Sequence, residues 1–126
     1  MAKYLLDTDV AIEWLRRDER VVGWLKQHDA AGDFLALTPI SIAEIYAGLR
    51  PREEFILGDI LKVLHCVEID ARVGRKAGHY RQRFARSHGV EVADALIAAA
   101  AHVHRLTLCS RNLRHYPMRD IRKQRL

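Results

Sequence analysis

Four short apolar runs, at residues 3–6, 34–37, 66–69 and 106–109, are separated by long segments of helical period and not by tight turns. That alternation constrains this chain more than any other feature. Antiparallel strands can be joined through two residues, whereas parallel strands need a crossover of a dozen or more, usually a helix. Helical spacing of apolar residues is expected from Val10 to Leu15, from Val21 to about Ala30, from Ser41 to Leu49 and from Glu53 to Leu64. It is expected again from Ala71 to Ser87 and from Val92 to Arg105. Within these, Phe55, Ile56, Ile60, Leu61 and Leu64 are read as one apolar face, and Ser41 as the N-cap of its helix, with Glu44 at capping-box spacing. A last short strand is expected at residues 118–121. The reading is an α/β protein: a three-layer α/β/α domain with a central, mainly parallel sheet, occupying residues 1–126 as a single domain.

The chain is long enough to bury a core without disulfide or metal staples. No apolar run approaches the ~20 residues of a membrane helix, and no secretory leader fits the start, so no membrane role is expected. The two cysteines, Cys66 and Cys109, have no CxxC spacing and are read as reduced core thiols in a cytoplasmic protein. The net charge of +5 resides in the last sixteen residues, which hold six Arg and Lys against Asp120 alone. A second basic run, Arg72 to Arg86, contains no acid. Positive charge in such blocks favours polyanionic partners through counterion release.

Most of the acids belong to polar turns. Three do not. Asp7 directly follows the first strand, Glu44 sits between Ala43 and Ile45, and Asp94 is framed by Ala93 and Ala95. Carboxylates amid small apolar residues are costly unless they are paired or bind a cation. In parallel α/β sheets, functional groups gather at the carboxyl ends of the strands, which suggests a shared acidic site. Oxygen-only donors suit Mg²⁺, with Mn²⁺ as a substitute, and acids with a hard metal beside a basic surface suggest phosphodiester chemistry. Other chemistries fit poorly. His102 and His104 are two apart on a helix and point to different faces, and there is no glycine-rich phosphate loop or Gly-x-Ser-x-Gly elbow.

Three segments carry a resemblance to a known family: Leu5-Leu6-Asp7-Thr8-Asp9-Val10, Ser41-Ile42-Ala43-Glu44-Ile45-Tyr46-Ala47-Gly48, and Val92-Ala93-Asp94-Ala95 with the alanine-rich turns after it. Followed by Leu106 to Tyr116, they resemble, in order, the motifs of PIN-domain proteins, and most of all VapC toxins of bacterial toxin–antitoxin pairs. The resemblance implies a metal-dependent ribonuclease with Asp7, Glu44 and Asp94 as its metal-binding acids and Thr8 in support. Asp7 and Asp94 would hold the metal that activates a water, with Glu44 completing its shell or orienting that water. A fourth acid often follows the penultimate strand in this family, but here the place reads Ser110-Arg111-Asn112. Asn112 offers only a neutral amide oxygen, so Asp9 or Glu91 is a candidate for the missing charge. Arg111, Arg114, Arg72 and Arg75 are candidates to grip RNA phosphates. The resemblance further implies a cognate VapB-like antitoxin, a homodimer and a higher toxin–antitoxin assembly. An apolar groove lined by residues such as Ile12, Trp14, Ile45, Tyr46 and Leu49 would receive the antitoxin. The absent fourth acid leaves one alternative open, a catalytically weakened RNA- or protein-binding PIN-like module. A phosphatase-like use of Asp7 as nucleophile lacks a well-placed lysine.

Overall fold

A computed structural model describes residues 1–126. In chain order the elements are β1 (Lys3–Leu6), α1 (Thr8–Leu15), α2 (Glu19–Ala30), β2 (Phe34–Leu37), α3 (Pro39–Ala47), α4 (Glu54–Val63), β3 (His65–Cys66), α5 (Ala71–His88), α6 (Val92–His104), β4 (Thr107–Ser110) and β5 (Lys123–Arg125). All strand pairings are parallel, and the sheet order is β3-β2-β1-β4-β5. The expected α/β/α architecture with a parallel sheet is therefore present, and the parallelism is complete.

The pleat divides the core in two. Leu5, Ala36 and Leu108 face one side, where α5 and α6 pack with Val73, Ala77, Tyr80 and the alanines of α6. Leu6, Leu35, Leu37 and Cys109 face the other, where α1, α2, α3 and α4 contribute Val10, Leu15, Val21, Leu25, Ile45, Leu57 and Ile60. Successive strand residues alternate between these layers, as a period of two requires. Ala95 and Ala98 through Ala101 are almost fully buried. Such small side chains allow close approach of a helix axis, which seats the start of α6 beside the central strands.

Several local expectations need correction. Residues 118–121 do not form a strand: Met118 inserts into the core, and the last strand is the charged segment Lys123–Arg125. Thr38, not Ser41, caps α3; its hydroxyl accepts from Ser41 N–H, and Pro39 opens the helix. The third strand is limited to His65–Cys66, and Cys66 is exposed while Cys109 is buried. Phe55 is 85% exposed, and Leu57 takes the core position on α4. No helix is long and apolar enough to cross a membrane.

Two helix caps make stability depend on pH. Asp18 caps α2 by accepting Val21 N–H, and Asp70 caps α5 by accepting Val73 N–H, each at 3.1 Å. Those backbone bonds hold both carboxyls below the usual range. A depressed folded-state pKa gives stability that is present above the ordinary carboxylate pKa of ~4 and is lost as pH falls through the folded value. Urea unfolding midpoints should therefore fall between about pH 5 and pH 2. Asp18→Asn with Asp70→Asn, which keeps capping oxygens that do not titrate, should flatten that fall.

Candidate active site

The sheet order reverses direction at β1: the chain proceeds from β1 outward to β2 and β3, then returns to β4 on β1's other side. Crevices at the carboxyl ends of strands flanking such a switch point are the usual ligand sites of open α/β sheets. Asp7 lies there, immediately after β1, and Ser110 ends β4 beside it.

Asp7 is 9% exposed, and both of its oxygens are engaged. Oδ1 accepts the Thr8 N–H at 2.8 Å, at the start of α1. Oδ2 accepts the buried Ser110 hydroxyl, also at 2.8 Å. Ser110 Oγ in turn accepts Asn112 N–H at 3.1 Å. The carboxylate is thus fixed from two strands and a helix start.

Glu44 approaches from α3. Thr8 Oγ1 lies 2.7 Å from Glu44 Oε1 and 2.9 Å from Ser41 Oγ. A threonine hydroxyl has one proton. Given to the carboxylate, it leaves the Thr8 oxygen to accept from Ser41, so a directed chain runs from buried Ser41 through Thr8 to Glu44. The capping box expected of Ser41 and Glu44 is replaced by this bridge between α3 and α1.

Asp9 occupies the place where the 110–112 segment has no acid. Its Oδ2 accepts Arg111 N–H at 3.1 Å and stands 3.4 Å from Ser110 Oγ. Its Oδ1 is buried with no hydrogen-bond partner. Burial, and next the charge of Asp7, push the Asp9 carboxyl above the usual range. Asp94, in the first turn of α6, is raised likewise. Burial is the main cause; His115, 3.6 Å away, opposes it, and Asp7, Glu91 and Glu44 add repulsion. Five carboxylates from three segments of chain are therefore linked by mutual repulsion. Glu91 is exposed just before α6, without a side-chain capping bond.

Such a set fits a hard divalent cation by its donor chemistry: oxygens only, mutual repulsion that a cation relieves, and an unpartnered buried carboxylate oxygen. No three His, Cys, Asp or Glu side chains are already gathered as a cage. His102 and His104 do turn to separate partners, the Asp120 and Glu68 carbonyls.

The arginines are placed less uniformly. Arg111 Nη1 is 3.4 Å from Glu13 and 3.3 Å from Asp18, which directs its guanidinium to the corner between α1 and α2. Arg114 is exposed, its Nε donating to Asn112 Oδ1 at 3.3 Å. Asn112 is bonded also to His115. Arg72 and Arg75 are not brought to the site. The α5–α6 hairpin turns at Gly89, which takes the left-handed conformation (φ 62°). Asp120 ties Lys76 and Tyr80 of α5 to His102 of α6. Arg72 and Arg75 thus lie abreast of the end of α6, roughly 12–15 Å along that helix from Asp94.

Tyr116 escaped the sequence reading as a site residue. It is 1% exposed, and its buried hydroxyl lies beside the Asp7 carboxylate. Burial, together with the charges of Asp7 and Asp94, keeps the phenol protonated. The only sequence signal was an aromatic residue with a polar tip following His115.

The model sequence of the PIN domain family matches residues 4–121. The chain belongs to the PIN-domain family. Among PIN-domain relatives, Ribonuclease VapC10 of Mycobacterium tuberculosis is 34% identical over 115 residues, covering 90% of this chain and 86% of the relative. Ribonuclease VapC19 of the same organism is 30% identical, covering 90% of this chain and 92% of the relative. The PIN fold here superposes on a chain from the DNA-bound crystal structure of VapBC2 from Rickettsia felis with a TM-score of 0.85, at 19% identity and 98% coverage of both chains.

Proposed function

We propose that this PIN-domain chain is a Mg²⁺-dependent endoribonuclease, with residues 1–126 acting as one nuclease domain, and that it is the toxin of a VapBC-type pair. The observation that carries the reading is that Asp7, buried at the sheet's switch point, acts on Asp9 and on Asp94, with Glu44 and Glu91 also acting on Asp94 and a buried oxygen of Asp9 left without a hydrogen bond. The ribonuclease names of its relatives supply the substrate class. Asp7 and Asp94 are the residues to hold the cation. A bound divalent cation supplies acidity to a coordinated water and positive charge to the phosphate under attack. Ser110 fixes the rotamer of Asp7, and the Ser41–Thr8 chain aims Glu44. Asp9 restores the negative charge that Asn112 does not provide. Arg114, exposed and bonded to Asn112, suits a substrate phosphate.

The partner in this reading is a VapB-like antitoxin, and the assembly is built on a toxin homodimer. A depression of about 250 Å³ between α1, α2 and α4 suits an amphipathic segment: Trp14, Val22, Ile56, Ile60 and Val63 line it, with Arg17, Lys26 and Asp59 beside them. If a basic side chain of the antitoxin reaches the acids, its affinity falls as Mg²⁺ replaces an inert salt at constant ionic strength.

The direct test is incubation of the purified protein with total RNA in Mg²⁺, in Mn²⁺ and in EDTA. Discrete cuts with either metal and none in EDTA are expected. Discrete cuts that persist in EDTA overturn the metal-dependent reading.

A further inference from the structure

The acidic site does not use a groove of about 520 Å³ along the outer side of α5. One wall is a helical stripe that includes Lys76, His79, Arg83, Phe84 and His88, and the other is the segment 117–120, with Arg119. The stripe follows the three- and four-residue spacing of one helix face. The charge is one-sided. Asp120 is the sole acid on the walls, and it is already bonded to Lys76 at 2.6 Å and to the Tyr80 hydroxyl at 2.7 Å. Arg83 and Arg119 are exposed and without a salt-bridge partner. Phe84 lies between them in character: half-buried, with the Arg83 guanidinium 5.4 Å from its ring centre and His88 edge-on at 5.6 Å.

Both walls of the groove adjoin, along the chain, segments that carry site residues. Its second wall follows directly on Tyr116 and His115, and His115 is 3.6 Å from Asp94. Its His88 end lies at the turn into α6, whose first turn carries Asp94. Cations flanking an aromatic face are the recurring means of holding single-stranded nucleic acid: phosphates meet the cations, and an unpaired base stacks on the ring. A duplex buries its base faces and has only its backbone to offer.

We propose that this groove holds a single-stranded stretch of RNA leading away from the cleaved phosphodiester, with phosphates on Arg83 and Arg119 and one base against Phe84. The proposal rests on the ribonuclease reading above and extends it to the flanking strand.

The test uses the full chain in EDTA, so that binding is read without cleavage. The probes are a fluorescein-labelled 12-nucleotide oligouridylate and a 12-base-pair RNA duplex. Arg83→Ala with Arg119→Ala is expected to weaken oligouridylate binding ~30-fold and to lower the salt slope by about 1.4, two phosphate contacts at ~0.7 each. Phe84→Leu, which keeps an apolar side chain on the core, is expected to weaken the oligouridylate ~10-fold and the duplex less than about twofold. Arg20→Ala with Lys26→Ala, on α2 across the sheet, is expected to change neither by more than about twofold. The proposal is overturned if the wild-type protein does not bind the oligouridylate, if Phe84→Leu binds it normally, or if the α2 variant loses as much as the groove variant. Cleavage in Mg²⁺ is scored separately. Groove-dependent binding without cleavage refutes the nuclease reading and leaves an RNA site. Cleavage with groove-independent binding refutes the groove alone.

Discussion

Replacing Asp94 with asparagine is expected to slow RNA cleavage by ~10³-fold or more while raising the melting temperature of the metal-free protein by roughly 2–5 °C. The two effects have one cause. Asp94 sits in the first turn of α6, and burial with the charges of Asp7, Glu91 and Glu44 disfavours its ionised form. Removing that charge at almost constant volume relieves the repulsion. On the proposed reading it would also remove a ligand from a cation that supplies several kcal/mol to the transition state, and each ~1.4 kcal/mol is a factor of ten in rate. Opposite signs in activity and stability separate this outcome from simple unfolding, which would lower both. Cleavage assays in Mg²⁺ and thermal unfolding in EDTA read the two quantities. A variant that cuts at the wild-type rate would remove Asp94 from the mechanism.

Thr8→Val is expected to reduce kcat by ~10–100-fold, the usual cost of removing a group that orients a metal-site carboxylate. Valine has nearly the shape of threonine, so α1 persists. What disappears is the 2.7 Å contact that aims Glu44, along with the partner of the buried Ser41 hydroxyl. Thr8→Ser restores a hydroxyl at the same carbon and should recover most of the rate. If Thr8→Ser is as slow as Thr8→Val, the methyl group and its packing matter, and the hydroxyl chain does not.

The parts of the fold that could be read in the sequence are those set by local periodicity. The apolar runs of β1 and β2 and the long patterns of α5 and α6 declared themselves because each buries one face or both in a sheet-centred core. The failures have equally physical reasons. Residues 118–121 looked like a strand because Met118 and Ile121 are apolar, but Met118 is a core plug and the true strand pairs on one side only. An edge strand tolerates the charges of Lys123 and Arg125 because its other side faces water. The N-terminus of α3 was misplaced because Ser41 and Glu44 mimic a capping box, whereas Pro39, which lacks an N–H to satisfy, is the better first residue.

At the site, Asp7, Glu44 and Asp94 were nameable because acids in apolar or strand-end settings are conspicuous. That Asp9 would meet Ser110 and Arg111 was not, since it depends on β4 lying beside β1. Tyr116 is hidden for the same reason. A linear charge count cannot tell which end of a helix faces the acids. The hairpin at Gly89 sets Arg72 and Arg75 apart from Asp94 and leaves the Arg83–His88 half of α5 nearer to it.

In the proposed function a water activated at a carboxylate-held cation breaks the RNA strand, so the RNA's own 2′-hydroxyl need not take part. The most direct measurement places a single 2′-deoxynucleotide at a mapped cleavage position and determines the ends produced in Mg²⁺. The account predicts that cutting continues at that position, with no 2′,3′-cyclic phosphate on products of either substrate. Loss of cleavage at the deoxy position, with cyclic phosphate ends on the all-ribose RNA, would contradict it.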